Sequence, residues 1–79
     1  MADRRLHVFH TVARLGSFTK AANRLHMTQP AVTFQVKQLE EQFNARLFDR
    51  NHNRITLTDA GDVVFDYADK ILNLYEEME

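Results

Sequence analysis

The sequence predicts a mainly α domain of three short helices and a two-stranded hairpin, followed by a long fourth helix. Three observations lead to this prediction. Residues 26–30 combine a turn with a new helix start, residues 46–57 form two β-prone runs around an Asn-rich turn, and apolar residues after position 60 keep a heptad spacing. Together they predict a helix-turn-helix with the hairpin as its wing, and a fourth helix suited to dimerisation.

The first helix is predicted from about Arg4 to Leu15, because Gly16 follows and readily takes the left-handed conformation that ends many helices. Helical spacing predicts that Leu6, Phe9 and Ala13 face the core. The outer side would carry three further apolar residues, and we expect these to extend an intermolecular interface: Val8, Val12 and Leu15.

The second helix is predicted from about Phe18 to Leu25, with Ser17 and Thr19 at its start. Backbone N–H groups at a helix N-terminus have no partners within the helix, and they attract anions. The first turn of this helix, with Ser17 and Thr19, is therefore a candidate phosphate-binding position.

The third helix begins at a tight corner between His26 and Pro30. Thr28 is placed to accept a backbone N–H as an N-cap, and Pro30 suits the first helical turn, where its missing N–H costs nothing. The helix is predicted to run from Gln29 to Gln42, with Asn44 as a left-handed residue beyond its end.

A helical wheel at about 100° per residue divides the third helix into two faces. The predicted buried stripe consists of Val32, Val36, Leu39 and Phe43. The opposite face presents Gln29, Thr33 and Phe34 as the residues expected to contact DNA bases, with Lys37 better placed for a phosphate. An exposed phenylalanine on its own is normal, but at the centre of this polar face we favour a thymine contact.

The hairpin is predicted from Arg46–Arg50 and Ile55–Leu57, with residues 51–54 between them. Arg50 and Arg54 would hold phosphates or enter a minor groove, although both could be ordinary solvated charges. Asn51 or Asn53 could take a left-handed conformation in place of a turn glycine, with His52 between them at the tip. Thr58 is then the expected N-cap of the fourth helix.

Charge is divided unevenly along the 79 residues, although the net charge is only −1. Residues 1–57 carry nine Lys or Arg and four Asp or Glu, a net of +5, whereas residues 58–79 carry one lysine and seven acids, a net of −6. The basic part contains the helical corner. This asymmetry indicates a nucleic-acid partner for that part of the chain.

Composition narrows the class of protein further. A domain of 79 residues is marginal alone, so a partner chain would stabilise it. There is no cysteine, secretory signal or long apolar run, which predicts a cytoplasmic domain without disulfides or a membrane contact.

Five sequence blocks resemble the LysR-type transcriptional regulators: residues 16–22 (GSFTKAA), 28–33 (TQPAVT), 38–40 (QLE), 47–50 (LFDR) and 57–61 (LTDAG). They are distributed from residue 16 to residue 61 in the family's order and spacing. The resemblance implies bacterial transcription regulation by a winged helix-turn-helix at residues 1–58 and a linker helix at residues 59–79. It also implies a C-terminal effector-binding domain that this chain lacks, where a small-molecule inducer would bind; no cofactor is expected in the fragment itself.

By position, the resemblance implies that Thr28, Gln29, Pro30, Thr33 and Phe34 serve the major groove, whereas Arg50 and Arg54 serve the wing. Phe34 stands where many members of the family have a polar or basic residue. The complete set of expected base contacts is Gln29, Pro30, Thr33 and Phe34. The expected phosphate and wing contacts are Ser17, Thr19, Thr28, Lys37, Arg50, Asn51, Asn53 and Arg54.

The fourth helix carries two parallel apolar seams. The first seam consists of Ala60, Val64, Tyr67, Ile71, Leu74 and Met78, and the second of Gly61, Phe65, Ala68, Leu72 and Tyr75. One seam could cover the domain's own core and the other a partner helix, which the sequence alone does not assign, or both could form one broad face in a monomer. The expected dimer interface is Val64, Tyr67, Ala68, Ile71, Leu72, Leu74, Tyr75 and Met78.

A two-fold homodimer would read an interrupted inverted repeat in an operator of double-stranded DNA. The full-length protein could form a tetramer and contact RNA polymerase.

An enzyme is not expected, because there is no cysteine, no glycine-rich phosphate loop and no base placed beside a nucleophile. His7 and His10 have a spacing that metal sites use, but no third ligand converges on them, and the stronger alternative is a protein-interaction module that uses the fourth helix.

Overall fold

The computed structural model describes residues 3–51 and 54–79. The elements follow in the order α1 (Arg4–Leu15), α2 (Phe18–Leu25), α3 (Gln29–Phe43), β1 (Phe48–Asn51), β2 (Arg54–Leu57) and α4 (Asp59–Met78). The predicted mainly helical fold with a hairpin wing and a long last helix is confirmed. Helices α1 and α2 have the predicted bounds, and α3 extends one residue beyond the prediction, to Phe43.

Short polar side chains start the helices. Oγ of Ser17 accepts the Lys20 N–H at 3.0 Å, and Oγ1 of Thr28 accepts the Ala31 N–H at 3.2 Å. Each of these bonds satisfies a backbone donor that the first helical turn would otherwise leave unpaired. Asp3 caps α1 in the same way, and the hydrogen bond from the Arg5 side chain lowers the pKa of its carboxyl group.

Left-handed residues end the first three helices. Gly16 has φ +66°, His26 has φ +57° and Asn44 has φ +52°. The left-handed conformations predicted for Gly16 and Asn44 are confirmed, whereas none was predicted for His26. Histidine takes this conformation more readily than bulky or β-branched residues do, and here it turns the chain sharply between α2 and α3.

The core lies where α1 meets α2, α3 and α4. Its largest fully buried side chains are Phe9, Leu39, Leu47, Val8, Val12 and Val32. The prediction that Val8 and Val12 lie on an outer face is wrong, because α1 is packed by helices on several sides and buries both. The prediction of Phe43 as part of the buried stripe of α3 is also wrong, since its side chain is 47% exposed at the end of the helix.

The wing is an antiparallel hairpin in which Phe48 pairs with Leu57 and Asn51 pairs with Arg54. The strands differ from the predicted ones, since β1 begins at Phe48 and continues through Asn51, and β2 begins at Arg54. Of the two asparagines predicted as alternatives for a left-handed residue, Asn51 is excluded, because it is a strand residue and, among residues 3–51 and 54–79, the non-glycine residues with positive φ are His26 and Asn44; the alternative at Asn53 stays a prediction. His52 and Asn53 lie outside the described residues.

The start of α4 is anchored to residues 46 and 47, which directly precede β1. Oγ1 of Thr58 donates to the Arg46 carbonyl oxygen at 2.6 Å and accepts the Gly61 N–H at 2.9 Å. The Thr58 N–H donates to the Leu47 carbonyl oxygen at 3.0 Å. At Gly61, a Cβ atom would collide with that same carbonyl oxygen, so only glycine lets the helix pass this close.

The two apolar seams of α4 have different surroundings. In the second seam Gly61 and Ala68 are buried and the other three residues are half-buried. In the first seam the four residues from Tyr67 onward are exposed, at 43% to 73% of their surface: Tyr67, Ile71, Leu74 and Met78. Ala60 and Val64 of the first seam also pack against the core, so the two seams differ only from Tyr67 onward, where the first is exposed and the second is buried or half-buried. No helix in the described part of the chain is long and apolar enough to span a membrane.

Candidate nucleic-acid interface

The outward face of α3 presents polar and aromatic side chains at the predicted positions. Gln29, Pro30, Phe34 and Lys37 are exposed, and Thr33 is half-buried. The Phe34 side chain is 57% exposed. The opposite side of the helix buries Val32, Val36 and Leu39, which fixes the rotation of α3 about its axis and so determines which residues face outward.

The corner before α3 sets the angle of this face. The Met27 N–H donates to the Ala22 carbonyl oxygen at 2.9 Å, which closes the end of α2 while His26 is left-handed. Thr28 then caps α3 directly, with Pro30 in the first turn. Because the Oγ1 atom of Thr28 accepts the Ala31 N–H, that hydroxyl already serves the helix itself.

A first groove brings the start of α2, the start of α3 and the wing together. It has a volume of about 490 Å³ and is lined by Gly16, Ser17, Phe18, Thr19, Gln29, Arg50, Arg54 and Ile55. Of the twelve DNA contacts expected from the sequence, five come from three separate segments and line this one groove: Ser17, Thr19, Gln29, Arg50 and Arg54. Two guanidinium groups beside a helix N-terminus form a site suited to an anion.

Aromatic packing holds Arg50 in place within this groove. Its guanidinium carbon lies 4.5 Å from the centroid of the Phe18 ring. Phe18 packs edge-on against Phe48 at 5.7 Å, and Phe48 contacts Phe9 at 5.2 Å between centroids. The wing arginine is therefore placed by a chain of rings that begins in the core, which reduces the side-chain entropy it would lose on binding.

A second groove separates α3 from β1. It has a volume of about 340 Å³, and its polar lining residues are Thr33, Lys37, Glu40, Arg46 and Arg50. Arg50 thus borders both grooves. Arg46 was not among the predicted contact residues, although its place within the basic part of the chain was a signal that could have drawn attention to it.

Glu40, which lines this groove, stabilises the loop that follows α3. Its Oε2 atom accepts the Leu47 N–H at 2.8 Å, which ties the loop after α3 to the helix. Arg46 lies 3.9 Å from Asp49, an exposed pair that contributes little stability. Across the two grooves the basic side chains are Lys37, Arg46, Arg50 and Arg54, whereas the one acidic lining residue among those described is Glu40.

The histidines with metal-ligand spacing lie elsewhere. His7 and His10 both line a groove between α1 and α4. Nε2 of His10 lies 2.9 Å from Oδ1 of Asp69, and its ring stacks on Phe65 with 4.8 Å between centroids. Within residues 3–51 and 54–79, no cluster of three His, Asp or Glu side chains could hold a metal ion.

Comparison with known proteins places this geometry in a family. Residues 4–62 match the family described as bacterial regulatory helix-turn-helix protein, lysR family. A probable RuBisCO transcriptional regulator of Cyanidioschyzon merolae is 51% identical over 72 residues, which cover 91% of this chain and 24% of that protein. The RuBisCO operon transcriptional regulator of Allochromatium vinosum is 47% identical over 76 residues, which cover 96% of this chain and 25% of that protein. The chain thus spans about a quarter of the length of these relatives.

Solved structures give the same result. The DNA-binding domain of BenM in complex with catB site 1 DNA superposes with a TM-score of 0.92 at 35% identity, covering 99% of this chain and 87% of that chain. The CbnR DNA-binding domain in complex with DNA has a TM-score of 0.89 at 38% identity, covering 99% and 90% of the two chains. The relatives are named as regulators rather than enzymes. This chain belongs to the LysR family of bacterial regulatory helix-turn-helix proteins.

Proposed function

We propose that this chain binds double-stranded DNA in a sequence-specific manner and is the DNA-binding part of a transcriptional regulator. The observation that carries the proposal is the exposed face of α3, which presents Gln29, Thr33 and Phe34 next to a wing that holds Arg50 and Arg54. The similar BenM and CbnR domains were solved in complex with DNA, which supports the same use of this face.

Each residue of the α3 face offers a definite means of reading bases. Gln29 can pair with N6 and N7 of adenine, and Thr33 can use its hydroxyl or its methyl group. Phe34 packs on a thymine methyl, with Pro30 beside it at the start of the helix. These four residues form the proposed base-contacting set.

The phosphate contacts are proposed from the two grooves. Ser17 and Thr19 would act through the first turn of α2, while Arg50 and Arg54 act from the wing. Lys37 contributes from α3, and Thr28 and Asn51 lie exposed at the edges of the same surface. Asn53 remains a proposed contact outside the described residues.

We infer that the chain forms a two-fold dimer through the exposed seam of α4. That seam leaves Tyr67, Ile71, Leu74 and Met78 in water, which is costly unless a partner covers them. The interface predicted from the sequence included Ala68, but this residue is fully buried within the chain itself and cannot contact a partner. The proposed interface is Tyr67, Ile71, Leu74 and Met78, with Leu72 and Tyr75 at its edge, and with Val64, which is half-buried against the chain's own core, at its margin.

The dimer places two α3 helices on one operator, which would be an interrupted inverted repeat. We further propose that residues 1–58 read DNA and residues 59–79 link to an effector-binding domain that responds to a small-molecule inducer. The complete regulator would act in the cytoplasm, with a tetrameric state and a contact to RNA polymerase as further proposals. The shared length with the relatives supports this division, since they are about four times as long as the matched segment.

Selection from random DNA tests the proposal. The purified chain is incubated with a pool of random duplexes, the bound fraction is amplified over several rounds, and the enriched sequences are aligned. We expect two half-sites related by inversion. A pool without enrichment, from a chain that circular dichroism shows to be folded, would overturn sequence-specific binding.

A protein-interaction module is the second candidate, and the exposed seam of α4 favours it. Selection together with sedimentation of the same protein separates the two functions, because this alternative predicts a dimer in sedimentation without enrichment of any DNA sequence.

The names of the relatives suggest one defined duplex to test, the region upstream of the RuBisCO operon of Allochromatium vinosum. Retention of that duplex over one of equal composition would support a shared operator class.

A further inference from the structure

We propose that Arg46 binds a DNA phosphate in the second groove, the one between α3 and β1. This inference rests on the proposed function, since it concerns the way in which the domain holds a duplex. It adds a residue that neither the sequence pattern nor the exposed face of α3 identifies. The ligand chemistry is a phosphodiester of the DNA backbone.

The course of the DNA backbone is the first argument. If α3 enters the major groove and the wing reaches the adjacent minor groove, one sugar-phosphate strand must pass between them, because such a strand is what separates the two grooves. The space between α3 and β1 is the second groove. Whatever lines that space therefore meets phosphates.

The chemistry of the lining is the second argument. Lys37 stands on the α3 side, and Arg46 and Arg50 stand on the β1 side. These three cations outnumber the single carboxylate there, Glu40, whose Oε2 already accepts the Leu47 N–H at 2.8 Å. A volume of about 340 Å³ is ample for a phosphodiester group. Arginine suits this ligand because its planar fork can form paired hydrogen bonds to phosphate oxygens.

The anchoring of Arg46 is the third argument. Its backbone is held by the hydrogen bond from Thr58 to its carbonyl oxygen, at 2.6 Å. Its side chain is 73% exposed and makes two long contacts, from Nη2 to the Phe48 carbonyl oxygen at 3.4 Å and to Asp49 at 3.9 Å. A fixed backbone and a weakly held guanidinium group allow the side chain to turn to a phosphate at little cost.

The test measures the salt dependence of binding for Arg46→Gln on a random-sequence duplex of fixed length. The matched control is Arg14→Gln, which removes the same charge from α1, beside the groove between α1 and α4. Each phosphate contact contributes about 0.9 to the slope of log K against log salt. We expect the slope to flatten by about 0.9 per bound protomer for Arg46→Gln, and by clearly less for Arg14→Gln.

Equal slopes for the two variants would overturn the proposal. A loss of affinity for Arg46→Gln with an unchanged slope, accompanied by a lower urea midpoint, would also overturn it, since that pattern indicates a structural role through Phe48 and Asp49. Failure of the proposed function looks different, because the unsubstituted chain would then show no enrichment of any sequence. Circular dichroism of both variants confirms that each compared protein is folded.

Discussion

Nε2 of His10 lies 2.9 Å from Oδ1 of Asp69, and this contact joins the middle of α1 to the middle of α4. The His10 side chain is 11% exposed and the Asp69 side chain 47%, so the pair sits at the edge of the core. The His10 ring also stacks on Phe65, with 3° between the two ring planes. The long helix is thus attached to the domain at a second point, well beyond its anchored N-terminus.

A double-mutant cycle measures the contribution of this contact to stability. His10→Phe, Asp69→Ala and the double variant are compared by urea unfolding, because phenylalanine keeps a ring beside Phe65 but has no nitrogen to bond Asp69. We expect a coupling of about 1 kcal/mol, the usual size for a partly exposed hydrogen bond. Asp66→Ala removes an exposed carboxylate from the same helix and should show no coupling to His10→Phe. Additive changes in the free energy of unfolding would remove the contact as a stabilising link.

Phe34→Ala tests the base-reading role of the most exposed aromatic side chain of α3. Loss of its apolar contact should weaken binding to the selected operator by about 1 to 2 kcal/mol. Binding to a random duplex should change little, and so should the urea midpoint. Gel-shift titrations on both duplexes measure this difference, and equal losses on the two duplexes would contradict a base contact.

Arg54→Ala tests the wing. The variant should lose affinity for operator and random DNA alike, with the salt slope flattened by about one unit for each protomer bound. Fluorescence anisotropy between about 50 and 200 mM salt gives the slope. A slope equal to that of the unsubstituted chain would exclude Arg54 from the phosphate contacts.

Leu74→Glu tests the exposed seam of α4. Leu74 is 64% exposed in the single chain, so the charge should leave the fold intact. In a dimer it would disrupt two buried leucines, which costs about 3 kcal/mol and raises the dissociation constant of the dimer roughly a hundredfold. Asn73→Glu places the same charge one residue earlier, outside the seam, and sedimentation should find it dimerising normally. Equal dissociation constants for the two variants would argue against this interface.

Gly61→Ala tests the close approach of α4 to Leu47, the residue just before β1. Its new Cβ would meet the Leu47 carbonyl oxygen, and a backbone atom cannot swing aside, so we expect a loss of about 3 kcal/mol in the free energy of unfolding. Gly16→Ala is the matched control, because a Cβ there meets no atom within 4 Å and the cost is that of a left-handed alanine, about 1 kcal/mol. The prediction fails if both variants unfold at the same urea concentration.

Local signals in the sequence predicted much of this fold. Ser17, Thr28 and Thr58 each cap the helix that they were expected to start, and Asn44 ends α3 as a left-handed residue. The wheel of α3 also separated Val32, Val36 and Leu39 from Phe34. These predictions succeeded because capping and helical periodicity depend on neighbours within a few residues.

The errors came from contacts distant in sequence. Val8 and Val12 have the spacing of a second apolar face, and only the packing of several helices around α1 reveals that both are core. The two seams of α4 are similarly apolar in sequence. The close contact of Gly61 with the Leu47 carbonyl oxygen determines the rotation of α4, and so which seam is buried. The second groove likewise depends on where β1 lies relative to α3, so Arg46 could not be placed from periodicity.

The hydroxyl of Thr58 forms two hydrogen bonds, one within α4 and one to the residues before β1. It accepts the Gly61 N–H at the start of α4 and donates to the carbonyl oxygen of Arg46, just before the wing. Rotation of α4 about its axis must therefore either break this bond or pull the first wing strand with it. A twist of α4 would thus be passed through Thr58 to residues 46 and 47, and from there along β1 to Arg50, without first displacing the core.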